Sequence, residues 1–134
     1  MNSSGIIFDH IHIISEDPRT AAAWYADRLG GAIVRDGDVY GAPQIYVAFN
    51  GATIIVRGLR AGEDIEKKAR RQWGVDHFGF LIEDDFDGFC EELRGKGVRF
   101  TLEPMDFNPT TRIAFIQAPD GVIIELVHRK AIGG

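Results

Sequence analysis

The feature that most constrains this chain is a ten-residue stretch that occurs twice. Residues 8–17 and residues 75–84 each contain an apolar residue, the pair Asp-His, an alternating apolar run and a closing acidic pair. Because side chains alternate along a strand, His10 and His12 share one face of the first copy, and His77 takes the place of His10 in the second. Such a repeat predicts a chain built from two similar modules.

Both copies are followed by the same predicted order of elements. In the first module, Asp17 and Pro18 predict the start of a helix and Gly30 its end. In the second, an apolar stripe at helical spacing predicts a core-facing helix that contains Phe86, Phe89, Cys90 and Leu93. Three strands are predicted after each helix, at residues 32–35, 44–49 and 52–57, and at residues 98–102, 112–117 and 122–128. The pattern predicts an α+β fold of two repeated βαβββ modules, each with one sheet face left to line a cavity.

Domain boundaries follow from the same pattern. We predict one domain over residues 1–134, with module one at about 6–58, a charged linker at 59–74 and module two at about 75–130. The linker is interpreted as a solvated connector that contains a short exposed helix. The alternative is a flap over the site with Trp73 as its apolar edge.

Composition limits the class of partner. The net charge is −5 over 134 residues, which argues against nucleic acid or an anionic membrane as the main partner. The single Cys90 excludes an internal disulfide, and no apolar run reaches the roughly 18 residues of a spanning helix. We therefore expect a cytoplasmic protein with a small-molecule substrate.

Several motifs, in order and with matching spacing, resemble one known family. They are Asp9-His10-Ile11, Trp24-Tyr25, Leu29-Gly30, Asp76-His77 and the run from Pro119 to Leu126. The chain resembles the vicinal oxygen chelate superfamily, which includes glyoxalase I, methylmalonyl-CoA epimerase, fosfomycin resistance proteins, extradiol dioxygenases and bleomycin-binding proteins. The resemblance implies curved mixed sheets that form a partly open barrel around a metal cavity.

The resemblance also implies one divalent metal per site. Its ligands, carried over position by position, are His10, His77 and Glu125. The internal repeat places Ile55 at the fourth ligand position, which departs from glyoxalase I. Two imidazoles and one carboxylate suit Fe, Mn, Co, Ni or Zn and leave coordination positions for substrate oxygen atoms.

Further site residues are expected on the same strands. His12 and Glu125 are the predicted catalytic residues, with His12 as a general acid or base, or alternatively only a cavity-lining residue. Arg57 would anchor a substrate carboxylate or phosphate, or else reach solvent. Ile55, Phe107 and Phe115 complete the predicted substrate contacts, with Phe107 on a predicted irregular loop at residues 103–111.

The expected function is that of a metal-dependent, glyoxalase-like isomerase or lyase acting on a small molecule that chelates the metal through oxygen. One alternative is an extradiol-type dioxygenase with a 2-His-1-Glu iron site. Asp106 and Phe115 stand where the resemblance places the catalytic histidine and tyrosine of that class, and neither has the needed chemistry. The other alternative is a non-catalytic drug-binding resistance protein.

A homodimer with its sites at the interface is also implied by the resemblance, with the modules paired either within or between chains.

Overall fold

The computed structural model describes residues 5–67 and 72–130. The chain divides into two compact units, residues 1–66 and 67–134. The first contains β1 (His10–Ile14), α1 (Pro18–Leu29), β2 (Ala32–Val39), β3 (Ala42–Phe49) and β4 (Ala52–Arg57). The second contains β5 (Phe78–Leu81), α2 (Phe86–Gly95), β6 (Phe100–Asn108), β7 (Thr111–Gln117) and β8 (Ile123–Arg129). The predicted α+β fold with two βαβββ modules is confirmed.

Each unit forms one open, four-stranded mixed sheet. The strand orders are β1-β4-β3-β2 and β5-β8-β7-β6. In both sheets the first strand of the module runs parallel to the last, and the remaining pairs are antiparallel. The strand that follows the Asp-His pair therefore lies beside the closing strand of its own module.

Strand register confirms the alignment of the two modules. His12 pairs with Ile55 across β1 and β4, and Gly79 pairs with Glu125 across β5 and β8. Since Gly79 takes the place of His12 in the repeat, Ile55 and Glu125 occupy equivalent positions. Only the second module presents a carboxylate there.

The boundaries of α1 follow the predicted capping residues. The Asp17 carboxylate accepts hydrogen bonds from the Thr20 backbone amide at 3.3 Å and from the Thr20 hydroxyl at 2.8 Å. Pro18 occupies the first turn, where its missing N–H costs nothing. Gly30 ends the helix with φ of 79°, in the left-handed region that glycine tolerates best.

The core of the second unit lies between α2 and one face of its sheet. Phe86, Cys90 and Leu93 of the predicted apolar stripe are buried on the helix, whereas Phe89 is only half-buried. The buried sheet residues on that face are Ala114, Ile116, Ile124 and Leu126. Burial raises the pKa of Cys90 to about 11, which fits a core thiol rather than a reactive one.

Two sequence predictions for the second half are wrong in their boundaries. Most of the predicted irregular loop at 103–111 is strand, because β6 runs to Asn108 and pairs with β7 through several register shifts, and only residues 109 and 110 form a turn. Those irregularities let a segment that contains Pro104 stay in the sheet. The second copy of the repeat predicts a strand over residues 75–82, but the observed strand begins only at Phe78.

The charged linker contains turns and irregular backbone in its described parts, residues 59–67 and 72–74. The predicted short helix is absent from those parts, and residues 68–71 lie outside the described residues. Over the described chain, neither helix is long and apolar enough to cross a membrane.

Candidate functional site

In the second unit, the structure brings together two of the three predicted metal ligands. His77 immediately precedes β5, and its Nε2 lies 2.9 Å from Oε1 of Glu125 on β8. On the other side of the ring, Nδ1 of His77 lies 2.8 Å from a carboxylate oxygen of Asp76. The imidazole is thus held between two carboxylates.

The two contacts of His77 need more than the single N–H of a neutral imidazole. A neutral imidazole has one N–H, so it can donate to Asp76 or to Glu125, and not to both. Either a second proton or a metal cation therefore lies between Nε2 and Glu125. The hydrogen bond to Asp76 is the main cause that raises the pKa of His77, and Glu125 adds to it.

The donor set fits a divalent metal. An imidazole nitrogen and a carboxylate oxygen that lie 2.9 Å apart are the kinds of atom that would bind such an ion together. Asp76 would then orient the ring and keep the proton on Nδ1, which is the usual support for a metal-bound histidine. Nε2 of His77 and Oε1 of Glu125 are the atoms that would hold the metal.

Gly79 gives Glu125 the space that this pairing needs. A Cβ atom at position 79 would lie 3.0 Å from the Glu125 carbonyl oxygen and 3.3 Å from its Cβ. A side chain here would therefore press directly on the strand that carries the carboxylate.

A half-open concavity of about 480 Å³ lies on the same sheet face. Glu125 stands within it, and the Phe115 ring is 5.0 Å from the His77 ring. A second charged residue, Arg129 on β8, also lines this concavity. Further lining residues are Phe107, Ile113 and Val127. Phe107 and Phe115, both predicted to contact substrate, thus line the concavity that contains Glu125.

The first unit repeats the Asp-His pair without the carboxylate on the closing strand. Nδ1 of His10 lies 2.8 Å from Oδ2 of Asp9, as in the second unit. The His10 and His12 rings are 6.1 Å apart, and Ile55 is buried beside them. Burial lowers the pKa of His12, and the positive charges of Arg57 and of neighbouring groups lower it further. His12 is therefore neutral near pH 7 and able to accept a proton.

Arg57 is engaged by a carboxylate of its own unit. Its two terminal nitrogens donate to the two oxygens of Glu63, at 2.6 and 2.8 Å. The hydrogen bonds from Arg57 and from the Arg60 backbone lower the pKa of Glu63 to about 2. The role of Arg57 in substrate binding stays a prediction, and substrate would have to share this guanidinium with Glu63.

Within residues 5–67 and 72–130, no three His, Cys, Asp or Glu side chains are arranged to hold a metal ion. The structure joins His77 to Glu125 in one unit and places His10 in the other. The complete ligand set of His10, His77 and Glu125 stays a prediction.

Sequence reasoning missed the residues that support the site. Asp9 and Asp76 were part of the repeated motif, and their adjacency to histidine in both copies was the available signal. Glu63 and Arg60 lie in the segment interpreted as a solvated connector. Among its many charged residues, the sequence does not indicate that Glu63 forms an ordered ion pair with Arg57. Gly79 gave no signal, because the contact it avoids depends on strand register.

Comparison with known proteins places the chain in a family. Residues 7–126 match the family model of the Glyoxalase/Bleomycin resistance protein/Dioxygenase superfamily. The chain belongs to this superfamily. It is 30% identical over 131 residues to a probable lactoylglutathione lyase of Synechocystis, covering 91% of this chain and 95% of that protein.

Solved structures of this superfamily have the same fold. A glyoxalase family protein from Bacillus cereus has a TM-score of 0.80 at 16% identity, over 96% of this chain and 97% of its own. A trypanothione-dependent glyoxalase I from Leishmania major has a TM-score of 0.69 at 19% identity, over 89% and 84% of the two chains. At these identities the likeness describes the fold alone.

Proposed function

We propose that this superfamily member is a divalent-metal-dependent lyase or isomerase of the glyoxalase type. Its substrate would be a small molecule that binds the metal through oxygen atoms. The observation that carries the proposal is the placement of His77 between Asp76 and Glu125, where a divalent cation at Nε2 would satisfy both carboxylates. Membership of the superfamily and the lyase named among its relatives support the reaction class.

The ligand set proposed for the metal is His10, His77 and Glu125. His77 and Glu125 are supported by their contact, and His10 by its place in the repeat and its matching bond to an aspartate. The metal, when bound, supplies Lewis-acid polarisation of a substrate carbonyl or enolate oxygen.

The chain's own residues would bind the substrate and move its proton. Phe107 and Phe115 offer an apolar surface that excludes water from one side of the substrate. His12, neutral near pH 7, would accept a proton from carbon and return it to the neighbouring carbon or oxygen. Glu125 would contribute a carboxylate oxygen to the metal.

A homodimer with sites at the interface is part of the proposal. Apolar side chains immediately before both Asp-His pairs are largely exposed, among them Ile6, Ile7, Phe8, Trp73 and Val75. A second copy that covers them would remove this apolar surface from water. A closed twofold arrangement would give two equivalent sites.

The reaction is tested by measuring lactoylglutathione in two assays: its formation from methylglyoxal and glutathione, and its breakdown. The wild-type protein, incubated in turn with Fe(II), Mn(II), Co(II), Ni(II) and Zn(II), should show metal-dependent turnover. Glu125→Gln should lower kcat/KM by at least about a hundredfold. Glu103→Gln, the same change on a surface residue paired with Arg94, should leave the rate unchanged. Equal rates in the two variants would contradict the assigned role of Glu125.

A further inference from the structure

A second site lies in the first unit, on the loop that follows β4. Arg60 is held there by Glu63: the Arg60 amide donates to Oε1 of Glu63 at 2.7 Å, and the Glu63 amide donates to the Arg60 carbonyl at 3.1 Å. Since Glu63 is also bonded to Arg57, the loop is fixed to the end of β4. The backbone of Arg60 is therefore placed by an ordered network.

The charges around Arg60 do not balance. Both oxygens of Glu63 are used by the Arg57 side chain, so this carboxylate neutralises Arg57. Although Glu63 feels its charge, the Arg60 guanidinium makes direct contacts only with uncharged groups among the described residues: Nη2 donates to Oε1 of Gln44 at 2.9 Å, and the group lies 5.0 Å from the centre of the Tyr40 ring. Nε of Arg60 is buried and makes no hydrogen bond within the described chain. One positive charge is left without an anion.

The neighbours of Arg60 are themselves ordered. Gln44 is only 6% exposed, and its amide nitrogen donates to the Tyr46 hydroxyl at 3.0 Å, which turns its oxygen towards Arg60. Tyr40 lies in the β2–β3 turn with φ of 50°, a left-handed conformation that costs a tyrosine about 1–2 kcal/mol. In this conformation the Tyr40 ring lies against the Arg60 guanidinium. The positive φ of Tyr40 and of Gly41 is the conformation of a two-residue hairpin turn, and the turn fixes the position of the ring.

We propose that Arg60, with Gln44 and Tyr40, forms an anion-binding site for a small molecule that carries one carboxylate. The planar guanidinium matches the two oxygens of a carboxylate. The local balance of two arginines and one glutamate leaves a single positive charge, which suits a monoanion better than a phosphate dianion. Tyr40 is 82% exposed and offers a flat surface beside the anion. The site uses residues of the first unit alone and does not depend on the proposed metal.

The test is a titration of the full-length protein with benzoate, followed by the NMR shift of the arginine Nε–H groups and by calorimetry. Wild type should bind one benzoate per chain at Arg60. Arg60→Gln should weaken binding by at least about tenfold. The matched control is Arg35→Gln, which removes the same charge from an arginine over the Tyr46 ring of the same sheet and should change affinity by less than about twofold.

Separate titrations with acetate and inorganic phosphate identify the anion. Acetate should bind at the same site, and phosphate should bind more weakly than benzoate. No benzoate binding, equal loss in the two arginine variants, or stronger binding of phosphate would each overturn the proposal. Repeating the benzoate titration with Glu125→Ala separates the two sites, because that variant should retain full benzoate affinity whether or not a metal binds near Glu125.

Discussion

Individual residues determine whether the second unit can hold a cation. His77 contacts a carboxyl group through each ring nitrogen, and the second contact needs a proton or a cation that a neutral imidazole lacks. Glu125 supplies the oxygen, and Gly79 leaves the strand room to present it. The candidate site is therefore a property of three positions, on β8, on β5 and immediately before β5.

Gly79 gives the first residue-level prediction. Gly79→Ala should lower the free energy of unfolding by about 1–3 kcal/mol, because the added Cβ crowds the backbone of Glu125. Chemical denaturation measures the change. The control is Gly37→Ala on β2, where an added Cβ meets nothing within 4 Å, so the change should be neutral or slightly stabilising. Equal losses of stability at the two glycines would contradict the idea that crowding against Glu125 causes the effect at Gly79.

Glu63 gives a pH-dependent prediction. Its pKa is about 2 in the folded chain against an ordinary value of 4.5, so the stabilisation from Arg57 is complete above about pH 4.5 and is lost as pH falls towards 2. Glu63→Gln should be less stable than wild type at pH 6, and the difference should shrink between pH 4.5 and 2.5. Denaturant melts at stepped pH measure it. A difference that stays constant over that range would contradict the ion pair.

Several of the predicted site residues were found from the internal repeat. His10, His77 and the place of Ile55 opposite Glu125 followed from aligning the two halves, and strand register agrees with that alignment. Arg57 was identified as a candidate anchor, but its bond to Glu63 depends on how the loop after β4 folds back. Nothing in the local sequence determines that path.

Among the secondary-structure elements, those with local signals were predicted best. Helix α1 begins and ends at Asp17 and Gly30 because capping depends on adjacent residues. Strand β6 was predicted to end at Leu102, since Pro104 and an irregular apolar pattern indicate a loop. Its continuation to Asn108 depends on pairing with β7, which is a non-local interaction.

Helix α2 provides the prediction at the scale of elements. Leu93 is fully buried, and Leu93→Ala should cost about 2–5 kcal/mol in the free energy of unfolding. Glu92→Ala, one position earlier on the exposed side of the same helix, should cost less than about 0.5 kcal/mol. Thermal or denaturant unfolding compares the two. A small effect at Leu93 would mean that α2 is not the cover of this sheet face.

In the whole molecule, two modules of one architecture carry different chemistry. The first presents Ile55 and a cluster of arginines, whereas the second presents Glu125 and an aromatic concavity. The two modules therefore share one backbone architecture but carry different functional side chains. This asymmetry was visible in the sequence as one missing carboxylate, although the arginine cluster was not.

The proposed homodimer is tested by its exposed apolar residues. Trp73→Ser and Ile7→Ser should each weaken association by at least about tenfold, because each side chain would lose its burial in the dimer. Leu59→Ser, at an exposed apolar residue outside this group, should leave association unchanged. Sedimentation equilibrium over a range of concentrations measures the effect. A wild-type protein that is monomeric throughout would contradict the proposed assembly.

The most direct test is elemental analysis of protein purified without chelator and without a histidine tag. The proposed site predicts about one divalent metal per chain in wild type, lost in His77→Ala and Glu125→Ala while both variants stay folded by circular dichroism. Glu103→Ala should keep its metal. Full metal content in Glu125→Ala, or no metal in wild type after titration with Fe(II), Mn(II), Co(II), Ni(II) and Zn(II), would contradict a metal centre at His77 and Glu125.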